Sequence, residues 1–404
     1  MQYNVLDLFA GCGGFSNGFI KEGFLIKGAI EIDKNAALTY QNNHLNTNLF
    51  LDDIKNINIE LIKDKVEDID VIIGGPPCQG FSIAGKRDLN DQRNTLPLEF
   101  IRYVDFFKPK FFVMENVKGL ISMDKGKVLK CFIDEFERIG YTVKYELLNC
   151  LEYEIPQARE RVFVVGVRND ISQEFEFPIK NSRIVTLGEA IYDLEEIGDF
   201  QATGQYNHDM FFPVDTRTYE LLGEGNFLCD LRHGPYHVHS WEINLKGSCS
   251  PKEIDILNAI AENRRKKKYG LKDGNPLNKE DIIELTRYEN IDTEIENLLT
   301  MKYLEKFNDK YDIHDRKINM GLRIFDRNKP VNTITTLSGA NSSYAHYSQP
   351  RNFTVREVAR LQTFEDDFIF YGNVSSQYKQ VGNAVPPRIA RKIAHKIKEL
   401  LDLS

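Results

Sequence analysis

Cysteine is scarce in this chain. There are six in 404 residues, and no two form a Cys-x-x-Cys pair. Neither a disulfide framework nor a zinc motif is expected, which fits a reducing compartment. No apolar run reaches the roughly 18 residues of a membrane span. The opening Met1-Gln2-Tyr3-Asn4-Val5 does not lead from a basic stretch into an apolar one. A secretory signal is therefore not expected, and the chain reads as cytoplasmic. Positive charge is also short, with a formal net charge of −8. That argues against a general polyanion binder, so any phosphate-binding face must be local. The densest basic run, Arg264-Arg265-Lys266-Lys267-Lys268, reads equally well as such a face or as a solvated helix end. No internal repeat or low-complexity tract is evident.

What is present is an alternation of strand-like and helix-like segments. Strands are expected at Val5–Phe9, Leu25–Ile30, Val71–Ile73, Phe111–Met114, Val143–Leu148 and Val162–Val167. Helices are expected at Gly14–Glu22, Lys34–His44, Leu96–Phe107 and Lys127–Ile139. Such alternation predicts a mainly parallel, doubly wound α/β sheet. Residues 181–320 look irregular, with one helix at Lys252–Lys267. Regularity returns at Thr354–Gln362 and Pro387–Leu401. Two domains are expected: 1–180, completed by 373–404, and a smaller irregular one over 181–372.

Cys78 stands out. It lies in Gly74-Gly75-Pro76-Pro77-Cys78-Gln79-Gly80-Phe81-Ser82, directly after the apolar Val71-Ile72-Ile73. Glycines and prolines force the chain out of the strand there. Its C-terminal end is where open α/β sheets bind ligands. A thiol of pKa about 8.5 is little ionised at neutral pH, yet strongly nucleophilic. Carboxylate and arginine recur at other strand ends, as Glu115-Asn116-Val117 and Gln157-Ala158-Arg159-Glu160-Arg161.

A cofactor site is legible in Asp7-Leu8-Phe9-Ala10-Gly11-Cys12-Gly13-Gly14. It reads as strand, glycine-rich turn and helix, where the backbone can approach a ligand closely. Glu31 ends the next strand and suits ribose hydroxyls. Asp53, after Leu49-Phe50-Leu51, is placed for an adenine edge. The glycines are not spaced G-x-G-x-x-G, and Asp7 would repel a pyrophosphate. Both observations favour S-adenosylmethionine, whose methionine end carries cationic groups, over a nicotinamide dinucleotide.

Taken in order, these blocks resemble the DNA (cytosine-5) methyltransferases of bacterial restriction-modification systems. Arg356–Phe364 and Gln377–Pro387 extend the match, so it spans nearly the whole chain. One departure is Glu365 after Phe364, where proline is common in the family. Cys12 stands where small residues are usual; it reads as packing or as an oxidation site.

The resemblance implies a Rossmann-like S-adenosylmethionine-dependent methyltransferase domain plus a target-recognition domain. It implies transfer of a methyl group to carbon 5 of a cytosine flipped out of a short double-stranded DNA sequence. Cys78 would attack carbon 6, making carbon 5 enamine-like. Glu115 would contact nitrogen 3 and the exocyclic amine, with burial raising its pKa. Arg161, with Arg159 beside it, would stabilise charge at oxygen 2. The cofactor would be held by Asp7, Phe9, Ala10, Gly11, Cys12, Gly13, Gly14, Glu31, Ile32, Asp53, Ile54, Gly75, Pro77, Leu98, Asn383 and Ala384. DNA contacts would come from Gln79, Ser82, Gln157, Arg264, Arg265 and Lys266, with residues 79–98 as a closing loop. A monomer is expected, with no metal despite His233, His237 and His239. A restriction endonuclease acting on the same sequence is its expected counterpart. Two alternatives stay open. One is a tRNA cytosine-5 methyltransferase, disfavoured by the missing Cys-Phe-Thr signature. The other is a non-catalytic DNA-binding relative, disfavoured by the intact Pro77-Cys78-Gln79 and Glu115-Asn116-Val117.

Overall fold

The computed structural model describes residues 2–66, 68–77, 96–194, 214, 216–226, 249–264, 266–270, 275–313, 323–335 and 344–403. The first part of the chain runs β1 (Asn4–Leu8), α1 (Gly14–Ile20), β2 (Leu25–Glu31), α2 (Lys34–Asn43), β3 (Asn48–Leu51), α3 (Ile59–Val66) and β4 (Val71–Gly74). It continues with α4 (Leu96–Phe107), β5 (Phe111–Val117), α5 (Gly119–Ser122), α6 (Lys127–Arg138), β6 (Tyr141–Asn149), β7 (Gln157–Ala158) and β8 (Glu160–Arg168). Seven strands form one sheet in the order β3-β2-β1-β4-β5-β8-β6.

Strand alternation sorts side chains onto two faces. Val5, Val71, Ile73, Phe111, Val113, Phe163 and Val165 pack with Phe15 and Phe19 of α1 and with Ile389, Ile393 and Ile397 of the Pro387–Leu401 helix. Leu6, Ile72, Phe112, Met114, Val162 and Val164 face the other way, onto Ile62 of α3, Phe100 of α4 and Phe136 of α6. The sheet is therefore covered on both sides, as the doubly wound expectation required. The C-terminal helix also returns to the N-terminal domain. It packs closely on α1: a Cβ on Gly18 would lie 2.5 Å from the Ala390 Cβ.

Strands β3, β2, β1, β4 and β5 are all parallel. The order reverses between β1 and β4, so their C-terminal ends flank the switch-point crevice. Strand β8 alone is reversed, antiparallel to both β5 and β6. This has a functional consequence. In an all-parallel sheet the residues leading into β8 would lie on the opposite rim. Because β8 is reversed, Arg161 pairs with Val117 and joins the C-terminal ends of the parallel strands.

The chain divides into two compact units, Met1–Pro213 with Phe325–Ser404, and Val214–Ile324. These breaks differ from the expected ones at 180/181 and 372/373. Leu187 and Ile191 share a core with Val331, Ile334, Phe353, Val358, Phe364, Tyr378 and Val381, so both flanks of the smaller unit belong to the larger one. The smaller unit is also more regular than expected. Among the described residues its α-helices are Thr216–Leu222, Pro251–Asn263, Lys279–Thr286 and Asp292–Thr300. Lys310–Ile313 is the middle strand of a three-stranded antiparallel sheet with Leu304–Phe307 and Leu277–Asn278. Ile256, Leu257, Ile260, Ile282, Ile295 and Leu298 form its core. The helix expected to reach Lys267 stops at Asn263, ahead of the run of like charges. Its start is fixed by a Ser250/Glu253 capping box with Pro251 in the first turn.

Candidate active site

After Leu8 the chain turns sharply. Phe9 and Gly11 adopt left-handed φ angles of 60° and 56°. This is ordinary for glycine and uncommon for phenylalanine. Glu31, at the end of β2, ties the turn down. Its Oε2 accepts from the Gly11 N–H at 2.7 Å, and its Oε1 from the Ile32 and Asp33 N–H groups at 2.9 and 2.7 Å. Burial raises the Glu31 carboxyl above its ordinary value, against the pull of these three donors.

Asp7 lies beneath the turn, 1% exposed. Its Oδ2 accepts from the Ser16 hydroxyl at 2.6 Å, and Ser16 Oγ lies 2.7 Å from the Tyr40 hydroxyl. Burial pushes the Asp7 carboxyl up to about 7; the Ser16 hydrogen bond opposes the rise and the charge of Glu31 adds to it. Its Oδ1 is buried with no hydrogen-bond partner among the described residues.

These groups wall one side of a cavity of about 600 Å³. Asp53 and Ile54 line it after β3, Gly75, Pro76 and Pro77 after β4, and Glu115 and Asn116 at the end of β5. Arg161 lines it from β8, and Gln380, Asn383 and Ala384 from the end of the Val374–Asn383 helix and the turn after it. Glu115 Oε1 and Arg161 Nε are 2.9 Å apart, with both side chains mostly buried. The Asn116 amide donates to the Pro76 carbonyl at 3.1 Å, bracing the segment that leads into Cys78. The cavity thus joins a glycine-rich turn with two buried acids to an ion pair on the same rim.

A family model described as C-5 cytosine-specific DNA methylase matches residues 3–399. The chain is 34% identical to the type II methyltransferase M.DdeI of Desulfomicrobium norvegicum, over 98% of this chain and 88% of that protein. It is 34% identical to M.BanI of Aneurinibacillus aneurinilyticus, over 97% and 95%. The chain belongs to the C-5 cytosine-specific DNA methylase family. A crystal structure of an E. coli prophage protein described as a DNA modification methyltransferase superposes with a TM-score of 0.63 at 25% identity, covering 99% of both chains. The protein is accordingly a methyltransferase of the S-adenosylmethionine-dependent, DNA-binding, Rossmann-like class. Among the described residues no helix is long and apolar enough to cross a membrane.

The expected site residues sort by whether they line the cavity. Asp7, Phe9, Ala10, Gly11, Cys12, Gly14, Glu31, Ile32, Asp53, Ile54, Gly75, Pro77, Asn383 and Ala384 all border the one cavity, together with Glu115, Arg159 and Arg161. Two expected cofactor residues do not. Gly13 does not line it, and a Cβ there would lie 2.2 Å from His44 Nε2, so the position has no room for a side chain. Leu98 is 49% exposed outside the cavity, and Leu96 lines it instead. Cys12 is 1% exposed, with burial pushing its thiol up to about 12. Packing, and not oxidation, accounts for it.

Arg159, expected beside Arg161 in catalysis, borders the cavity and is also tied to the backbone around it. Its two Nη atoms donate to the carbonyls of Ile334, Gly382 and Ala384 at 3.0 to 3.2 Å. Burial first, and then the charge of Arg161, lower its pKa to about 9. Gln157, expected at DNA, is fully buried and bonded to Ile334, Leu361 and Gln362. Arg264 is engaged within its own unit by Asp312 at 3.2 Å, whereas Lys266 is exposed. Cys78, Gln79, Ser82, Arg265 and the histidines 233, 237 and 239 lie outside the described residues, as does most of the expected closing loop. Sequence reasoning missed Asn116, Gln380 and the Ser16–Tyr40 pair. Asn116 had a signal, since it directly follows Glu115.

Proposed function

We infer that this enzyme methylates carbon 5 of a flipped-out cytosine within one short double-stranded DNA sequence, through a covalent bond between Cys78 and carbon 6. The observation that carries the reading is the Glu115–Arg161 pair at the rim of the cavity that also holds the glycine-rich turn. Nitrogen 3 of cytosine lies between oxygen 2 and the exocyclic amine. Two oppositely charged groups 2.9 Å apart therefore suit a single base edge. Glu115 holds the nitrogen 3 and amine side, and Arg161 stabilises negative charge developing at oxygen 2. Gly75, Pro76 and Pro77 line the same cavity, and Cys78 is the next residue in the chain. Its thiolate adds to carbon 6, and its expulsion, with loss of the carbon 5 proton, restores the aromatic ring. The nucleotide must leave the stack for this, at a cost of a few kcal/mol.

The residues present fit S-adenosylmethionine, which when bound supplies an electrophilic methyl group. Asp7 Oδ1 is a buried acceptor in need of a donor, which an ammonium group provides. Glu31 and Asp53 face ribose hydroxyls and an adenine edge, Phe9 offers a ring to the adenine, and Asn383 lies toward the methionine end. Target recognition belongs to the chain between 181 and 372, with unit Val214–Ile324 as its compact part. The modification protects DNA against a restriction endonuclease of the same specificity.

The test is expression in a methylation-deficient bacterial host, beside the Cys78→Ala variant, with 5-methylcytosine mapped by bisulfite sequencing. Methylation at one short motif, absent with Cys78→Ala, is the expected outcome. Full methylation by the variant would overturn the covalent mechanism. Unmodified DNA with both proteins would redirect the search to tRNA.

A further inference from the structure

Behind the cavity wall runs a closed ring of buried hydrogen bonds. The Ile334 N–H donates to Gln157 Oε1 at 2.7 Å, and Gln157 Nε2 donates to Gln362 Oε1 at 3.0 Å. Gln362 Nε2 donates to the Val381 carbonyl at 2.8 Å. One residue on, the Gly382 carbonyl accepts from Arg159 Nη1 at 3.2 Å, and the same nitrogen reaches the Ile334 carbonyl at 3.0 Å, closing the ring. Gln157 and Gln362 are fully buried and Arg159 nearly so.

The ring joins parts of the chain that are far apart in sequence. Gln157 and Arg159 lead into β8, which carries Arg161. Val381 and Gly382 close the last turn of the Val374–Asn383 helix, and the Val381 carbonyl also accepts from the Ala384 N–H at 3.2 Å. The next residue, Asn383, lines the cavity. Buried amides with paired donors and acceptors hold one geometry, because breaking a pair loses a hydrogen bond that no water replaces. The ring therefore sets the distance between the Asn383 wall and the Glu115–Arg161 pair.

We propose that Gln362, which touches neither cofactor nor base, is a positioning residue for cofactor binding, acting through the Val381–Gly382 carbonyls on Asn383. This rests on the cavity taking S-adenosylmethionine. Gln362→Met keeps the side-chain length and removes both hydrogen bonds. The control is Ile397→Val, which loosens the core under the C-terminal helix without touching the ring. The measurements are S-adenosylmethionine affinity by calorimetry, the KM for DNA and for cofactor, and the thermal midpoint.

The expected result for Gln362→Met is a cofactor Kd and KM raised about tenfold, with the KM for DNA within about twofold. Ile397→Val leaves both ligands unaffected despite its own loss of stability. A folded Gln362→Met protein with parental cofactor affinity overturns the proposal. So does an equal loss in the control, which would mark a general stability effect. If Gln362→Met does not fold, Gln362→Asn, one methylene shorter, is judged by the same two criteria. A parent enzyme that does not bind S-adenosylmethionine refutes the cofactor reading itself, which is a separate result.

Discussion

Asp7 illustrates how much one buried carboxyl can control. An ordinary aspartate titrates near 3.9, whereas burial brings this one to about 7. The folded protein therefore holds a proton that the unfolded chain has released between these values. The contribution of Asp7 to stability falls as pH rises from about 4 to about 7 and is level above that. Cofactor binding has the opposite slope. A cationic ammonium favours the ionised carboxylate, so affinity for S-adenosylmethionine should rise as pH increases through about 7. Calorimetry between pH 6 and 8 checks this, and the Asp7→Asn variant should lack the step. An Asp7→Asn profile with the parental step would place the titration elsewhere.

At the scale of elements, the decisive contact is α1 against the Pro387–Leu401 helix. Gly18 permits it, since an added Cβ would lie 2.5 Å from the Ala390 Cβ and 2.6 Å from the Pro387 carbonyl oxygen. Neither is a flexible side-chain end. Gly18→Val should destabilise the protein by about 1–3 kcal/mol through overpacking. Urea unfolding measures it, and an unchanged midpoint would mean that the two helices separate freely. The reversed β8 is the other decisive element. It brings Arg161 opposite Val117, and with it the ion pair to Glu115. The motifs in the sequence named both residues, but their placement on one rim depends on strand direction, which a local pattern does not encode.

For the whole molecule, the larger unit is assembled from two stretches of chain, Met1–Pro213 and Phe325–Ser404. The second stretch supplies the Asn383 wall of the cavity and one cover of the sheet. A fragment ending at residue 180 should therefore neither bind cofactor nor stay soluble, because Val5, Phe15, Phe19 and Ile26 would lose their cover. Co-expression with residues 325–404 should recover part of the soluble protein. Soluble, cofactor-binding fragment 1–180 would show that the C-terminal stretch is dispensable. Solubility and calorimetry on the purified fragments decide this.

The chain's local pattern determined most of the elements, because side-chain period and turn residues act over a few positions. It placed six of the seven strands of the large sheet, missing β3, and the C-terminal helix within a few residues. It also determined the chemistry on offer, since Asp7, Glu31, Asp53, Glu115, Arg161 and Asn383 were all named from motifs and all border one cavity. Tertiary structure decided which partners each of the motif residues meets. Arg159 and Arg161 are two residues apart in one motif. Yet Arg159 spends its Nη donors on backbone carbonyls from residues 334, 382 and 384, while Arg161 pairs with Glu115. Gln157 is buried for the same reason. A side chain's role follows from the partners that meet it, and for Arg159 and Gln157 those partners arrive from stretches of chain more than 150 residues away.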